Sequence, residues 1–259
     1  MTKKKKKLIL ITNDDGINTP GLNKLIEIAR DYGQVIVVAP DQPRSGQSHA
    51  VSVAVPLYLS KIREEKDFEE YICSGTPVDA VKLAEQIIIK GKPDIVLSGI
   101  NHGSNASINV LYSGTMGAAL EGAVDGFPGI GFSIADYNPE ADVSQAEEYI
   151  RQIITEVLDN GLPPGVALNV NIPPVTKDKI KGIKIGHQSK GRWEEMMEER
   201  KDEKGNIYYW LTGTFKDMEE SPEGDTKHLC KNYVTVTPVK IDMTDKASIE
   251  PLKQRFENV

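Results

Sequence analysis

Short apolar runs alternate with helical patterns through the first two-thirds of the chain. Residues 8–12 form an apolar run with the length of a strand buried on both faces. A helical spacing of apolar positions then starts at Pro20, with Thr19 as its predicted N-cap, and ends before Gly33. Residues 35–39 repeat the strand pattern. A β-α-β unit within forty residues predicts a right-handed crossover and a parallel sheet.

The same alternation continues to residue 173 and predicts one α/β domain. Further strands are predicted at 51–59, 70–73, 94–98, 130–135 and 166–172, and further helices at 77–89, 115–124 and 144–158. A long polar, glycine-rich loop is predicted at 99–113.

The pattern changes after residue 173. Strands predicted at 182–186 and 207–211 flank a charged segment, which indicates a β-hairpin extension. Aromatic residues at 208–210 indicate either an oligomer contact or a local core. A strand at 234–239 and an amphipathic C-terminal segment follow. We therefore divide the domain into a core, 1–173, and an extension with a C-terminal segment, 174–259.

Composition and charge narrow the classes of partner. The net charge of -7 argues against binding to a nucleic-acid duplex, which needs a dense basic surface. No apolar run reaches the length of a bilayer span, so no membrane partner is expected. The two cysteines lie far apart and in no metal-ligand spacing, which favours a reducing, cytoplasmic location.

Three polar loops follow predicted parallel strands, where ligands of such sheets bind. They lie at 13–16, 41–48 and 99–105. The first contains the adjacent carboxylates Asp14 and Asp15, which would repel each other unless a cation compensates. Carboxylate, amide and hydroxyl oxygens together suit Mg²⁺ or Mn²⁺. A solvated turn with an Asx cap explains the same pair, so the pair alone leaves both interpretations open.

Other motifs in the sequence indicate phosphate binding. Ser-Gly-Thr occurs at 74–76 and 113–115, each time before a helix, and a helix N-terminus binds anions. The first copy is explained by a capping box, whereas the helix after the second starts with small residues that admit a ligand. Arg44 could clamp a phosphate. No P-loop or dinucleotide fingerprint is present, which argues against kinases, GTPases and dehydrogenases.

These motifs resemble those of the SurE family, the stationary-phase survival proteins that are metal-dependent nucleoside monophosphate phosphatases. The matching stretches are ITNDDG at 11–16, AP at 39–40, RSGQS at 44–48, SGTPVD at 74–79, SGINHGSN at 98–105, YSGTMGAALEG at 112–122, NVNIP at 169–173 and VTVTP at 234–238. They occur in the expected order over essentially the whole chain. No close motif is recognised at 187–221.

The resemblance implies a Rossmann-like, three-layer, mostly parallel α/β sheet with a C-terminal β-hairpin extension and a swapped C-terminal segment. It implies a homodimer or homotetramer that hydrolyses nucleoside 5′- and 3′-monophosphates, and short polyphosphate as a possible secondary substrate. One divalent cation, Mg²⁺ or Mn²⁺, would be held by Asp14, Asp15, Ser45 and Asn101. The residues expected to bind phosphate or substrate are Asn13, Arg44, Gly46, Asn105, Ser113, Gly114 and Thr115.

Two routes to hydrolysis stay open in the sequence. A water activated by the cation is favoured over direct attack by Asp14 or Asp15, because ligation by both carboxylates leaves neither free. A nucleotide-binding stress module without turnover is the alternative function. A haloacid-dehalogenase phosphatase would need Asp-x-Asp, which the adjacent aspartates do not provide.

Overall fold

The computed structural model describes residues 6–138 and 141–257 of the protein. The strands are β1 (Lys7–Thr12), β2 (Gly33–Pro40), β3 (Leu59–Glu65), β4 (Phe68–Cys73), β5 (Ile95–His102), β6 (Gly129–Ile134), β7 (Val166–Ile172), β8 (Ile183–Ile185), β9 (Gly191–Lys201), β10 (Ile207–Asp217) and β11 (Val234–Lys240). The helices are α1 (Pro20–Ala29), α2 (Pro77–Leu83), α3 (Gly114–Asp125), α4 (Glu147–Asn160), α5 (Asp225–Cys230) and α6 (Ile249–Phe256). A π-helical turn, Ala84–Ile89, prolongs α2.

One nine-stranded sheet forms the centre of the fold, in the order β3-β4-β2-β1-β5-β6-β7-β11-β8. The β3–β4 and β7–β11 pairs are antiparallel, and the other neighbouring pairs are parallel. Because β2 and β5 lie on opposite sides of β1, the chain reverses its direction of growth at β1. The crevice beyond the ends of β1 and β5 is therefore the switch point where such sheets bind ligands.

Helices cover both faces of this sheet. Apolar side chains of α1 and α4 share one core cluster, with Leu22, Leu25 and Ile150 among its buried members. On the other face, α2 and α3 contribute to a second cluster, in which Val81 and Ala118 are fully buried. The result is the three-layer, mostly parallel α/β fold predicted from the sequence.

The start of α1 lies against the end of β5. Thr19 is the N-cap and Pro20 the first helical residue, as predicted, although the Thr19 side chain makes no capping bond to the helix. Gly21 follows, and a Cβ there would lie 2.0 Å from the carbonyl oxygen of Ile100. Glycine is thus needed for α1 to approach the strand end that carries the predicted ligand loop.

The strand predicted at 182–186 is confirmed as β8, whereas the strand predicted at 51–59 and the place of 182–186 in the hairpin are wrong. Residues 51–58 are irregular, and Val53 in this segment is 91% exposed. The segment is held to the start of α2 instead, since Asp79 accepts from the Ser52 N–H at 3.0 Å and Thr76 donates to the Ala50 carbonyl at 2.7 Å. The first hairpin arm is also not 182–186, because β10 pairs with the charged segment β9.

The extension contains both the hairpin and part of the main sheet. The hairpin aromatics Tyr208, Tyr209 and Trp210 are 40–62% exposed, so they do not form a local core in this chain. An oligomer contact through them stays a prediction, as do the swapped C-terminal segment and the division at residue 173.

Among the described residues, no helix is long and apolar enough to cross a membrane.

Candidate metal and phosphate site

Backbone contacts bring the three predicted ligand loops to one place. Thr12 and Ser98 are register partners, so the residues that follow β1 lie beside the last residues of β5. The loop after β2 is tied to the same turn, because the Arg44 N–H donates to the Asp14 carbonyl at 2.7 Å. The Ile17 N–H also donates to the Pro40 carbonyl at 3.2 Å. The parallel sheet thus assembles the loops that the sequence singled out.

Asp14 is buried against the first turn of α3, with only 4% of its surface exposed. The Thr115 hydroxyl donates to Oδ1 of Asp14 at 2.6 Å. Gly114 lies so close that an added Cβ would be 3.0 Å from the Asp14 Cβ. Burial raises the pKa of Asp14 from 3.8 to about 6; repulsion from Asp15 adds to the rise, and the hydrogen bond from Thr115 opposes it.

Asp15 carries the second charge of the site and lacks full compensation. Burial raises the pKa of this carboxyl, and attraction to His102 opposes the rise. Nδ1 of His102 lies 3.7 Å from Oδ2 of Asp15, a distance longer than a hydrogen bond. The sequence prediction did not include His102 in the site; its position directly after Asn101, in the polar loop at 99–105, is the signal that could have found it.

Five buried polar atoms without hydrogen-bond partners lie in the residues at the ends of β1 and β5. They are Oγ1 of Thr12, Oδ1 of Asn13, Oδ2 of Asp15, Oγ of Ser98 and Nε2 of His102. Buried polar groups are normally paired, and leaving one unpaired costs about 1–3 kcal/mol. This grouping of unpaired atoms around two carboxylates fits a site that is completed by a bound polar or cationic group.

The two neutral members of the predicted ligand set differ in burial. Asn101 is partly buried, and its Nδ2 donates to the Gly103 carbonyl at 2.7 Å, so its side-chain oxygen is the atom suited to a cation. Ser45 is exposed in the loop after β2. Within the described residues, no three His, Cys, Asp or Glu side chains are grouped so as to hold a metal. Carboxylate, hydroxyl and amide oxygens are the kind of ligand that a hard divalent cation takes, so the four residues stay the predicted ligand set.

Two residues predicted to bind phosphate already have protein partners. Nδ2 of Asn13 donates to the Gly16 carbonyl at 2.8 Å and to the Thr19 hydroxyl at 3.0 Å, which fixes the turn after β1. The Arg44 guanidinium donates to Asp41 at 3.2 Å and to the Ser74 carbonyl at 2.7 Å. A phosphate clamp by Arg44 stays a prediction.

The remaining predicted phosphate residues lie around the start of α3. Ser113 is the N-cap, and its hydroxyl accepts from the Met116 N–H at 3.0 Å. Gly114 and Thr115 form the first turn and touch Asp14. Asn105 is buried, and its Nδ2 donates to the Ser133 hydroxyl at 2.8 Å. The structure thus brings Gly114 and Thr115 into contact with Asp14, with Ser113 as the preceding residue.

The loop that carries Ser45 and Gly46 is fixed to α3 by its far end. It crosses the helix at Gly117, where a Cβ would lie 2.5 Å from the Ser48 carbonyl oxygen. The next residue, His49, makes a 2.6 Å contact through Nε2 with the buried Glu121, which also pairs with Lys82. These contacts explain the glycine at 117 and the glutamate at 121 in this helix.

The fold and this oxygen-rich crevice define a Rossmann-like α/β protein with a candidate divalent-metal centre at its switch point. Comparison with known proteins adds the family: residues 9–195 match the family "Survival protein SurE". A protein named 5′-nucleotidase SurE from Christiangramia forsetii is 50% identical over 251 residues, covering 96% of each chain. A protein of the same name from Flavobacterium psychrophilum is 50% identical over 248 residues, which cover 95% of this chain and 96% of that one.

A solved structure agrees with the fold. The SurE protein from Aquifex aeolicus superposes with a TM-score of 0.82 at 36% identity, covering 96% of this chain and 99% of that one. The chain belongs to the SurE family, as the motifs indicated.

Proposed function

We propose that the protein is a metal-dependent phosphomonoesterase that hydrolyses nucleoside 5′- and 3′-monophosphates to nucleoside and phosphate. The observation that carries this proposal is the uncompensated pair Asp14 and Asp15, set among unpaired polar atoms beside a helix N-terminus. The relatives named 5′-nucleotidase are 50% identical to this chain over nearly its full length, which supports the same substrate class.

A bound cation would neutralise the negative charges of Asp14 and Asp15. Asp14, Asp15, Ser45 and Asn101 would hold one Mg²⁺ or Mn²⁺. When bound, it offsets negative charge on the phosphate and lowers the pKa of water at the site toward neutrality.

The protein's own groups position the phosphate. The start of α3 presents a helix N-terminus, which attracts anions through its free N–H groups and dipole. Ser113, Gly114 and Thr115 would hold phosphoryl oxygens there, with Asn13, Arg44, Gly46 and Asn105 as further contacts. The nearby carboxylates oppose phosphate binding at this turn when no cation is present, because like charges repel.

Water is the proposed nucleophile. Asp14 is held by Thr115 and by its own burial, so it is poorly placed for attack on phosphorus. Ligation by Asp15 likewise leaves no free carboxylate. Short polyphosphate is a proposed secondary substrate.

The test is the variant Asp15→Asn, assayed for phosphate release from AMP with Mn²⁺. We expect loss of most turnover with an unchanged circular dichroism spectrum, and reversible loss for the wild type in EDTA. Asp31→Asn is the matched control, since Asp31 is 65% exposed and follows α1 at the opposite end of the fold. An Asp15→Asn variant as active as the wild type would exclude the proposed site.

The alternative function is a nucleotide-binding stress module without turnover. A time course separates the two: an enzyme releases phosphate far beyond one equivalent per chain, whereas a binding module does not.

Assembly and location are also proposed. We propose a homodimer or homotetramer that covers exposed apolar groups of the hairpin and of α6, in which Phe256 is 71% exposed. We propose a cytoplasmic location, since Cys230 is a free, exposed thiol, which suits a reducing compartment.

A further inference from the structure

A cavity of about 610 Å³ adjoins the candidate site on the side of the hairpin. Its lining includes Gly46, Tyr112, Trp193, Glu195, Leu211 and Gly213. We propose that this cavity binds the nucleobase of the substrate, with Tyr112 and Trp193 as its aromatic contacts. The proposal rests on the function proposed above and names the residues that distinguish a nucleotide from another phosphate ester.

Two backbone segments that line the cavity also carry residues of the candidate site. Gly46 directly follows the predicted ligand Ser45, and Tyr112 directly precedes the helix cap Ser113. The two segments are joined, because the Ser48 N–H donates to the Tyr112 carbonyl at 3.0 Å. A ligand whose phosphate lies at the start of α3 therefore has this cavity next to it.

The hairpin leaves space where a planar ring could lie. Trp193 is opposite Phe215, Glu195 is opposite Gly213, and these residues share one face because directly paired residues point to the same side. Gly213 contributes no side chain to that face. A Cβ there would lie 2.9 Å from the Glu194 carbonyl oxygen, so glycine is required by the backbone as well. Glycine within a strand is typical of a close approach by a ligand.

Trp193 is held in a fixed orientation at the edge of this space. Its Nε1–H donates to Oδ1 of Asn109 at 2.8 Å. Its ring packs edge-to-face with Phe215, at 5.8 Å between centroids and 68° between planes. The indole N–H is thus already hydrogen-bonded within the protein, and the rest of the ring is available for apolar contact with a base.

A second cavity, of about 310 Å³, is lined in part by Ser48 and Ser113. Its hydrophobic wall is aliphatic, formed by Val110, Leu111 and Val239 among others, and its imidazole, His49, is bound to Glu121. Stacking on aromatic rings is how proteins bind bases with little dependence on sequence. The aromatic cavity is therefore the better match for a nucleobase.

The test compares a substrate with a base and one without it. For each variant, kcat/KM is measured with Mn²⁺ for AMP and for ribose 5-phosphate, and the ratio of the two is the readout. In the wild type we expect AMP to be favoured at least tenfold. Tyr112→Ala should reduce that ratio about tenfold, since loss of one stacking contact has this order of effect, and Tyr112→Phe should restore it.

The control is Tyr208→Ala, a tyrosine on the opposite face of the same hairpin, which should leave the ratio unchanged. Trp193→Leu provides a second test and should also lower the ratio. Equal losses for both substrates, or a wild-type ratio near one, would overturn the base subsite while leaving the phosphatase intact. Hydrolysis of neither substrate by the wild type would instead refute the proposed function, and the base subsite with it.

Discussion

Replacing Asp14 by asparagine should stabilise the metal-free protein at neutral pH. In the folded protein the pKa of Asp14 is raised from 3.8 to about 6, so the folded state binds more protons than the unfolded state between these values. The free energy of unfolding therefore falls as pH rises through this window, and the loss persists above it. At about 1.4 kcal/mol for each pH unit, ionised Asp14 costs about 3 kcal/mol at pH 7.5.

Asparagine removes this cost but weakens one contact. Its Oδ1 can still accept from the Thr115 hydroxyl, although a bond to a neutral acceptor is weaker by about 1 kcal/mol. We expect a net gain of about 2 kcal/mol, or about 4–6 °C in Tm for a chain of this size. Thermal unfolding in EDTA at pH 7.5 and at pH 4 measures the gain, which should disappear at pH 4, where Asp14 is protonated in the wild type.

The metal supplies the matching control. Mn²⁺ should raise the Tm of the wild type at pH 7.5 and leave that of Asp14→Asn nearly unchanged, since ligand binding stabilises only the state that binds it. A variant that is less stable than the wild type in EDTA at pH 7.5 would refute the reasoning. So would a difference in Tm that is equal at both pH values.

Three further predictions follow from buried contacts away from the carboxylate pair. Gly117→Ala should weaken Mn²⁺ binding about tenfold in a calorimetric titration, because its Cβ would displace the Ser48 carbonyl and the loop before it; unchanged affinity would contradict this. Asp225→Ala should lower the free energy of unfolding by about 3 kcal/mol in urea, since this fully buried carboxylate accepts backbone N–H bonds at the root of the hairpin. A thiol reagent should label one cysteine in the native protein and two in denaturant, because Cys230 is exposed whereas burial raises the pKa of Cys73 to about 11; rapid native labelling of both would be inconsistent with the packing.

Apolar patterning was a good guide wherever a strand is buried on both faces. The strand predicted at 166–172 is β7, Val166–Ile172, without a shift. The pattern failed at residues 51–58, where valines alternate with small residues but the chain is held by side-chain bonds to α2. It also failed for β9, because a hairpin exposed on both faces has no apolar alternation to mark it.

The candidate site likewise has features that the sequence predicts and features that it does not. The adjacency of Asp14 and Asp15 is visible in the sequence, and parallel pairing is enough to predict that the loops after β1 and β5 meet. The contact of His102 with Asp15 and the bond from Thr115 to Asp14 depend on how β5 and α3 pack. No local pattern encodes such packing, so these two contacts become visible only in the structure.

We propose that the turn after β1 holds a divalent cation together with two other loops. The most direct measurement is anomalous diffraction at the manganese edge from crystals soaked in Mn²⁺. We expect one strong peak per chain in contact with Asp14, Asp15, Ser45 and Asn101. A peak elsewhere, or no peak at these residues while the same protein preparation hydrolyses AMP with Mn²⁺, would contradict it.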